Sequence, residues 1–166
     1  MLTLGVDPGT ARCGYGLVAG DRTLSSVTYG CVSTRADWPL GTRLAKIRDA
    51  LQALFVAHRI DVVAVERLGF ARGLTSAAEV GHAIGVVHLV AADHGAAVEE
   101  YSPPQVKLAV AGHGGADKRQ VQGMVQRLLR LPEPPRPDHA ADALAVAICH
   151  AHSYRSRALE RAVMGR

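Results

Sequence analysis

The chain has 166 residues, of which 48% are hydrophobic and 4% aromatic, so a disordered chain and a core built on aromatic rings are both excluded. Nineteen basic and fifteen acidic residues give a formal charge of +4, which permits a polyanionic partner without requiring one. No apolar run approaches the roughly 20 residues of a membrane span, and the three cysteines lack metal-ligand spacing. We expect one domain of a cytoplasmic protein with reduced thiols and no membrane contact.

The first third of the chain is predicted to form β-structure. Residues 2–7 alternate apolar with small or polar side chains, which is the period of a strand. Pro8-Gly9 then interrupts the ladder, because proline lacks an N–H donor and glycine accepts a positive φ. Residues 14–19 and 24–32 predict two more strands joined by a turn at 20–22, and the three together predict an antiparallel meander.

The remaining two thirds are predicted to be mainly helical, with two short strands. The strand at 61–66 is apolar on both faces, which is typical of a sheet covered by helices on both sides. Residues 1–155 are expected to form the single domain, followed by a loose, basic tail at 156–166. A second strand is predicted at 97–101, and helices are predicted at 40–58, 75–93, 103–110, 117–131 and 139–154.

Acidic residues stand at the edges of three apolar segments. Asp7 ends the first strand, Glu66 ends the strand at 61–66, and Asp138-His139-Ala140-Ala141-Asp142 opens the last helix. If the two strands are parallel neighbours, both carboxylates emerge at the edge where open α/β sheets bind ligands. His139 and Asp142 are three residues apart and share one face of the first helical turn. Carboxylates held this close need a cation, and oxygen ligands favour Mg²⁺ or Mn²⁺ over zinc.

Each of these acidic residues also has a structural interpretation. Asp7 could cap the tight turn that follows it by accepting backbone N–H groups. Glu66 could form an ion pair with Arg67 or Arg72 in the loop that follows its strand. Asp142 could merely complement the dipole of the last helix. The pattern by itself leaves these alternatives open.

A family resemblance joins these motifs. Gly5-Val6-Asp7-Pro8-Gly9, Val65-Glu66 and the run from His139 to Ala145 resemble the RuvC family of bacterial Holliday-junction resolvases, as do residues 102–107 and 116–125. The resemblance covers nearly the whole chain in order. It implies an α/β, RNase H-like fold with a mixed five-stranded sheet flanked by helices. It also implies a homodimer that cuts two strands of like polarity at four-way junction DNA, in recombination and repair, alongside the RuvA-RuvB branch-migration complex.

The resemblance implies a catalytic, metal-binding tetrad of Asp7, Glu66, His139 and Asp142. It implies two Mg²⁺ or Mn²⁺ ions per active site and hydrolysis of the phosphodiester without a covalent intermediate. The third position is often Asp in this family, whereas this chain has His139 there and Asp138 one residue earlier. We assign His139 as the ligand and Asp138 as the helix N-cap, and the reverse assignment is the alternative.

The resemblance also suggests contacts with DNA. Lys107 and Lys118 correspond to basic residues that act near the scissile phosphate, and the alternative is that both are solvated helix lysines. The loop after the catalytic glutamate contains Arg67, Phe70 and Arg72, which we assign to DNA binding. Phe70 would stack on bases at the junction centre, although a loop phenylalanine could equally fold back into the core.

A small-residue face on the helix at 75–93, formed by Ala78, Gly81 and Gly85, would pack against the second subunit, or alternatively against its own sheet.

Three other functions compete with the resolvase. One is an RNase H-like nuclease for RNA or hybrids, and one is a DNA-binding module without cleavage. The last is an actin-like or sugar-kinase ATPase, because Asp7-Pro8-Gly9-Thr10 resembles its first phosphate loop, but such proteins need two lobes.

Overall fold

The computed structural model describes residues 1–67 and 74–164, with side chains described for 1–67 and 77–154. Its five strands form one sheet in the order β3-β2-β1-β4-β5. Strand β2 is antiparallel to β1 and β3, whereas β4 is parallel to β1 and β5, so the predicted mixed five-stranded sheet is confirmed. The elements are β1 (Leu2–Asp7), β2 (Arg12–Ala19), β3 (Ser25–Ser33), α1 (Leu40–Ala57), β4 (Val62–Glu66), α2 (Leu74–Asp93), β5 (Ala97–Tyr101), α3 (Pro103–Ala111), α4 (Lys118–Leu128) and α5 (Asp138–Met164).

Two helix ends differ from the sequence prediction by more than one residue. Helix α5 continues to Met164, beyond the predicted end at Tyr154, because the added segment is rich in the helix-forming residues Arg, Ala, Leu and Glu. Helix α4 ends at Leu128 rather than at residue 131, since Arg130 adopts a left-handed φ of 53° that an α-helix cannot contain. Within the described ranges, no helix has the length and apolar character needed to cross a bilayer.

Helices cover the sheet on both faces, as the apolar strands predict. One hydrophobic cluster joins α1 and α2 to β1, β2 and β4 through branched side chains such as Leu4, Ile47 and Val63. A second cluster joins α3, α4 and α5 to the opposite face. Because side chains alternate along a strand, Leu4 and Val6 of β1 face the first cluster, whereas Gly5 and Asp7 face α5.

Three glycines of the sheet allow α5 to approach it closely. A Cβ atom at Gly5 would overlap the backbone of Ala143, and one at Gly14 would overlap the carbonyl group of His139. A Cβ atom at Gly16 would collide with the side chain of Leu144. The first two turns of α5 therefore lie directly on the backbone of β1 and β2, at a depth that side chains would prevent.

Candidate active site

The register of β1 and β4 places two carboxylates side by side. Val6 is paired with Val65 in the parallel ladder, so Asp7 and Glu66 follow as neighbours at the carboxyl ends of the two strands. Both residues are on the face of the sheet that α5 covers, since Ala64, two residues before Glu66, packs in the α5 cluster. The predicted meeting of the two strand ends is confirmed.

Helix α5 brings the third part of the site to Asp7. The Nδ1 atom of His139 is 2.7 Å from Oδ2 of Asp7, whose residue is only 8% exposed. Asp142, one turn further along α5, completes a group in which one ligand atom from each of these three residues lies within 4.8 Å of the others. Two carboxylates and an imidazole at this separation form a donor set that suits Mg²⁺ or Mn²⁺.

The three residues line a cleft of about 370 Å³ at the carboxyl edge of the sheet. Glu66 lines the same cleft from β4, although its carboxylate lies outside the 4.8 Å group. A second concavity of about 240 Å³ adjoins the first, because Glu66, Lys118 and Asp142 line both. Lys107 of α3 lines this second concavity, so the two predicted basic residues and all four predicted ligands surround one continuous depression.

Lys118, at the start of α4, connects two acidic residues of α5. Its Nζ atom is 3.2 Å from Oδ2 of Asp142 and 3.2 Å from Oδ2 of Asp138. Partial burial lowers the pKa of Lys118, but the charges and hydrogen bonds of Asp142 and Asp138 outweigh it and raise that pKa above its ordinary value. The ammonium group is therefore held as a fixed positive charge at the rim of the cleft.

The carboxylate of Asp138 does not cap α5 as the sequence predicted. It accepts a hydrogen bond from Nε2 of Gln122 and pairs with Lys118, and both partners belong to α4. The hydrogen bond from Lys118 lowers the pKa of Asp138 most, followed by the bond from Gln122. The reason is that α4 packs beside the start of α5 and offers charged and amide donors in place of the backbone N–H groups. Of the two candidates, His139 is the one that contacts Asp7.

The loop that follows β4 is described only in part. Arg67 donates from Nε to Oε2 of Glu100 on β5 at 3.3 Å, and its side chain is 61% exposed. Phe70 and Arg72, which we assigned to DNA binding, lie outside the described residues. Their roles, like that of Arg67, stay predictions.

The sequence reasoning missed a polar network beneath the turn that follows Asp7. Arg43 of α1 is buried and donates to Oγ1 of Thr10 at 2.8 Å and to Oγ1 of Thr34 at 3.1 Å. Thr10 in turn donates to Oε2 of Glu79 on α2 at 3.0 Å, and both residues line the same cleft as Asp7. One signal was available, since Arg43 is a charged residue close to the apolar stripe of α1.

The sheet is mixed and five-stranded, and the acidic residues at the ends of two neighbouring strands face an Asp and a His side chain of a helix. This arrangement defines an RNase H-like nuclease. The family model for crossover junction endodeoxyribonuclease RuvC matches residues 3–150 of the chain. The chain therefore belongs to the RuvC family, whose members cut crossover junctions in DNA recombination and repair.

Individual relatives agree with this assignment. The crossover junction endodeoxyribonuclease RuvC of Heliobacterium modesticaldum is 54% identical over 155 residues, which cover 92% of this chain and 95% of the relative. The crossover junction endodeoxyribonuclease RuvC of Thermomicrobium roseum is 49% identical over 161 residues, which cover 97% of this chain and 99% of the relative.

Solved structures share the fold. Thermus thermophilus RuvC in complex with a Holliday junction substrate is 39% identical, has a TM-score of 0.90, and covers 95% of this chain and 96% of its own. The yeast mitochondrial Holliday junction resolvase Ydc2 is 13% identical, with a TM-score of 0.62 and coverage of 95% of this chain and 85% of its own. At that level of identity, Ydc2 supports the fold alone.

Proposed function

We propose that the chain resolves Holliday junctions by paired, metal-dependent hydrolysis of two strands of like polarity. The observation that carries this proposal is the group formed by Asp7, His139 and Asp142, with Lys118 beside it. The relative from Thermus thermophilus whose structure holds a Holliday junction substrate has the same fold over 95% of this chain, which supports the choice of substrate.

The residues present suit divalent metal ions. Asp7 is almost fully buried, and a buried carboxylate beside a second carboxylate is costly unless positive charge accompanies it. Asp7, Glu66, His139 and Asp142 would hold two Mg²⁺ or Mn²⁺ ions, with Glu66 reaching the group from β4. Such ions, when bound, would lower the pKa of a water molecule and offset charge on the phosphate.

The other contributions come from the chain itself. The contact with Asp7 fixes the orientation of the His139 ring, and the direct packing of α5 on the sheet fixes its depth. Lys118, held between Asp138 and Asp142, keeps a positive charge where a scissile phosphate would lie. Lys107 supplies a second positive charge from α3 across the adjoining concavity.

The proposal includes a homodimer, because two equivalent cuts require two matching sites. A Cβ atom at Gly81 or Gly85 on α2 would meet nothing within 4 Å, so this face does not pack on its own sheet. Leu89, on the following turn, is 58% exposed. A small-residue face with an exposed leucine allows a second copy of the helix to approach closely.

The test of catalysis is Asp7→Asn in a cleavage assay on a mobile four-way junction with Mg²⁺ or Mn²⁺. Cleavage should be lost while junction binding is retained, because the change removes charge without removing volume. The matched control is Asp49→Asn, whose side chain is 62% exposed on α1 and pairs with Arg48. Cleavage by Asp7→Asn at the parent rate, or unchanged cleavage after chelation with EDTA, would refute the assignment.

The choice of substrate is tested with a junction, a linear duplex and a DNA–RNA hybrid of matched sequence. Preferential cutting of the junction supports the proposal, and preferential cutting of the hybrid supports the competing RNase H-like activity. Binding of the junction without cleavage under either ion would support a DNA-binding module. The RuvA-RuvB complex as partner and the cytoplasmic location stay predictions.

The dimer is tested with Gly85→Arg in sedimentation analysis. A bulky, positively charged side chain on the exposed face of α2 should prevent two subunits from approaching, so the variant should sediment as a monomer where the parent chain is a dimer. Gly41→Arg is the matched control, because a Cβ at Gly41 on α1 also meets nothing within 4 Å. A monomeric parent chain at micromolar concentration, or a Gly85→Arg variant that stays dimeric, contradicts this part of the proposal.

A further inference from the structure

A concave surface of about 460 Å³ lies on the outer side of α4, apart from the catalytic cleft. Arg119, Gly123 and Arg127 line it along one side of the helix, at intervals of four residues. His113, in the connection between α3 and α4, lines it from the other side. No predicted site residue falls on this surface, which is lined mainly by basic and small side chains.

The two arginines differ from the other polar residues of α4. The glutamines have internal partners: Gln120 closes the capping box, Gln122 binds Asp138, and Gln126 donates to carbonyl groups that follow the helix. Arg119 and Arg127 are exposed, and neither side chain makes a hydrogen bond or ion pair with any residue in the described part of the chain. Their donors face solvent.

The charged residues that line this surface are all basic, and the helix that carries the two arginines also carries Lys118 at the rim of the active site. Residues 118–132 contain Lys118, Arg119, Arg127 and Arg130 and no acidic residue. Lys118 reaches the catalytic cleft, and Arg119 is the next residue on the same helix. Gly123 leaves the space between the two arginines open, because a Cβ atom there would meet nothing within 4 Å.

We propose that Arg119 and Arg127 bind the phosphate backbone of a DNA strand outside the catalytic cleft. Eight residues of helix separate the two side chains by about 12 Å along the axis, a span of three to four nucleotides at about 3.4 Å each. Guanidinium groups bind phosphate oxygens in a bidentate manner. We take DNA to be the ligand because the surface is basic and because the same helix places Lys118 beside the proposed position of the scissile phosphate. The inference rests on the proposed function.

The experiment measures junction binding in EDTA by fluorescence anisotropy for the double variant Arg119→Ala/Arg127→Ala. At about 0.1 M salt the affinity should fall at least tenfold. The slope of log K against log salt should become shallower by about four units in the proposed dimer, from about 0.9 unit per lost phosphate contact and two contacts in each subunit. Arg119→Lys/Arg127→Lys retains both charges and should keep the parent slope.

The matched control is Arg22→Ala/Arg59→Ala, which removes the same charge. Arg22 lies in the turn between β2 and β3 and Arg59 in the loop before β4, at the opposite end of the sheet, and both are exposed. This control should keep the parent salt slope. Thermal melting checks that all the variants are folded, which is expected because the four side chains are exposed.

Two results would overturn the inference. One is an affinity and salt slope of the Arg119/Arg127 alanine variant equal to those of the Arg22/Arg59 control. The other is a loss of binding confined to one junction sequence, since backbone contacts carry no sequence information. Failure of the proposed function is distinguishable, because the parent chain itself would then fail to cut the junction, whatever the two arginine variants bind.

Discussion

The two faces of the sheet are packed by different means. On one face, α1 and α2 meet the strands through a layer of branched side chains that includes Leu4, Ile47 and Leu51. On the other face, the start of α5 rests on the backbone of β1 and β2 at Gly5 and Gly14. The first contact depends on aliphatic side chains that fill the space between helix and sheet. The second depends on glycines that leave no side chain in that space.

This difference concerns function. A layer of aliphatic side chains can adjust by small rotamer changes when one methylene is lost. A helix in contact with the backbone has no such layer, so its depth is set by the glycines. Because α5 carries His139 and Asp142, that depth decides whether the two side chains reach Asp7. Substitutions on the face that α5 covers should therefore lower the cleavage rate. Substitutions on the face that α1 and α2 cover should lower the free energy of unfolding.

The largest expected effect is that of Gly14→Ala. The new methyl group would overlap the carbonyl of His139 and displace the start of α5. A displacement of about 1 Å at a catalytic group costs roughly 100-fold in rate, so single-turnover cleavage should fall by about that factor. Gly41→Ala is the control, since its methyl group would meet nothing within 4 Å. Parent-like cleavage by Gly14→Ala would show that the depth of α5 does not matter.

Leu51→Ala tests the opposite face. Leu51 is 1% exposed in the cluster beneath α1, and its truncation should lower the free energy of unfolding by about 2–5 kcal/mol in urea titrations. Cleavage per folded molecule should equal that of the parent chain, because α5 keeps its position. Val56→Ala, at an 83% exposed position of α1, should change neither quantity. A reduced rate in the folded Leu51 variant would erase the distinction between the faces.

Arg43→Met tests the network that joins α1 to the turn after Asp7. The change removes hydrogen bonds from a buried guanidinium to Thr10 and Thr34, and it should lower the free energy of unfolding by about 2 kcal/mol. Arg48→Met removes an exposed arginine from the same helix and should have an effect near zero. Equal stability of the two variants in urea titrations would mean that the network contributes nothing.

The smallest expected effect concerns pH. The folded-state pKa of Asp138 is lowered, so its contribution to stability is present above the unfolded pKa and lost as the pH falls through the folded value. The pKa of Lys118 is raised, so its contribution is lost only as the pH rises through a value above 10.5. The difference in thermal midpoint between the parent and Lys118→Met should therefore be constant from about pH 5 to pH 9. A change of that difference within this window would contradict the assigned shifts.

Much of the site could be predicted from local patterns. The alternation in residues 2–7 predicts a strand, and the two-sided apolar character of 61–66 predicts a strand covered by helices on both faces. The parallel register of the two strands then places Asp7 beside Glu66. The spacing of His139 and Asp142 predicts one helical face. Arg43, Thr10 and Glu79 could not be connected in this way, because 33 and 69 residues separate the bonded pairs.

The sequence by itself determined which elements form and which side chains share a strand end or a helix face, because those properties depend on neighbours a few residues away. The tertiary structure alone decided that Asp138 turns to Lys118 and Gln122 while His139 meets Asp7. That choice depends on where α4 packs and on how closely α5 approaches the sheet at Gly14. Both are contacts between segments distant in the chain, which local periodicity does not encode.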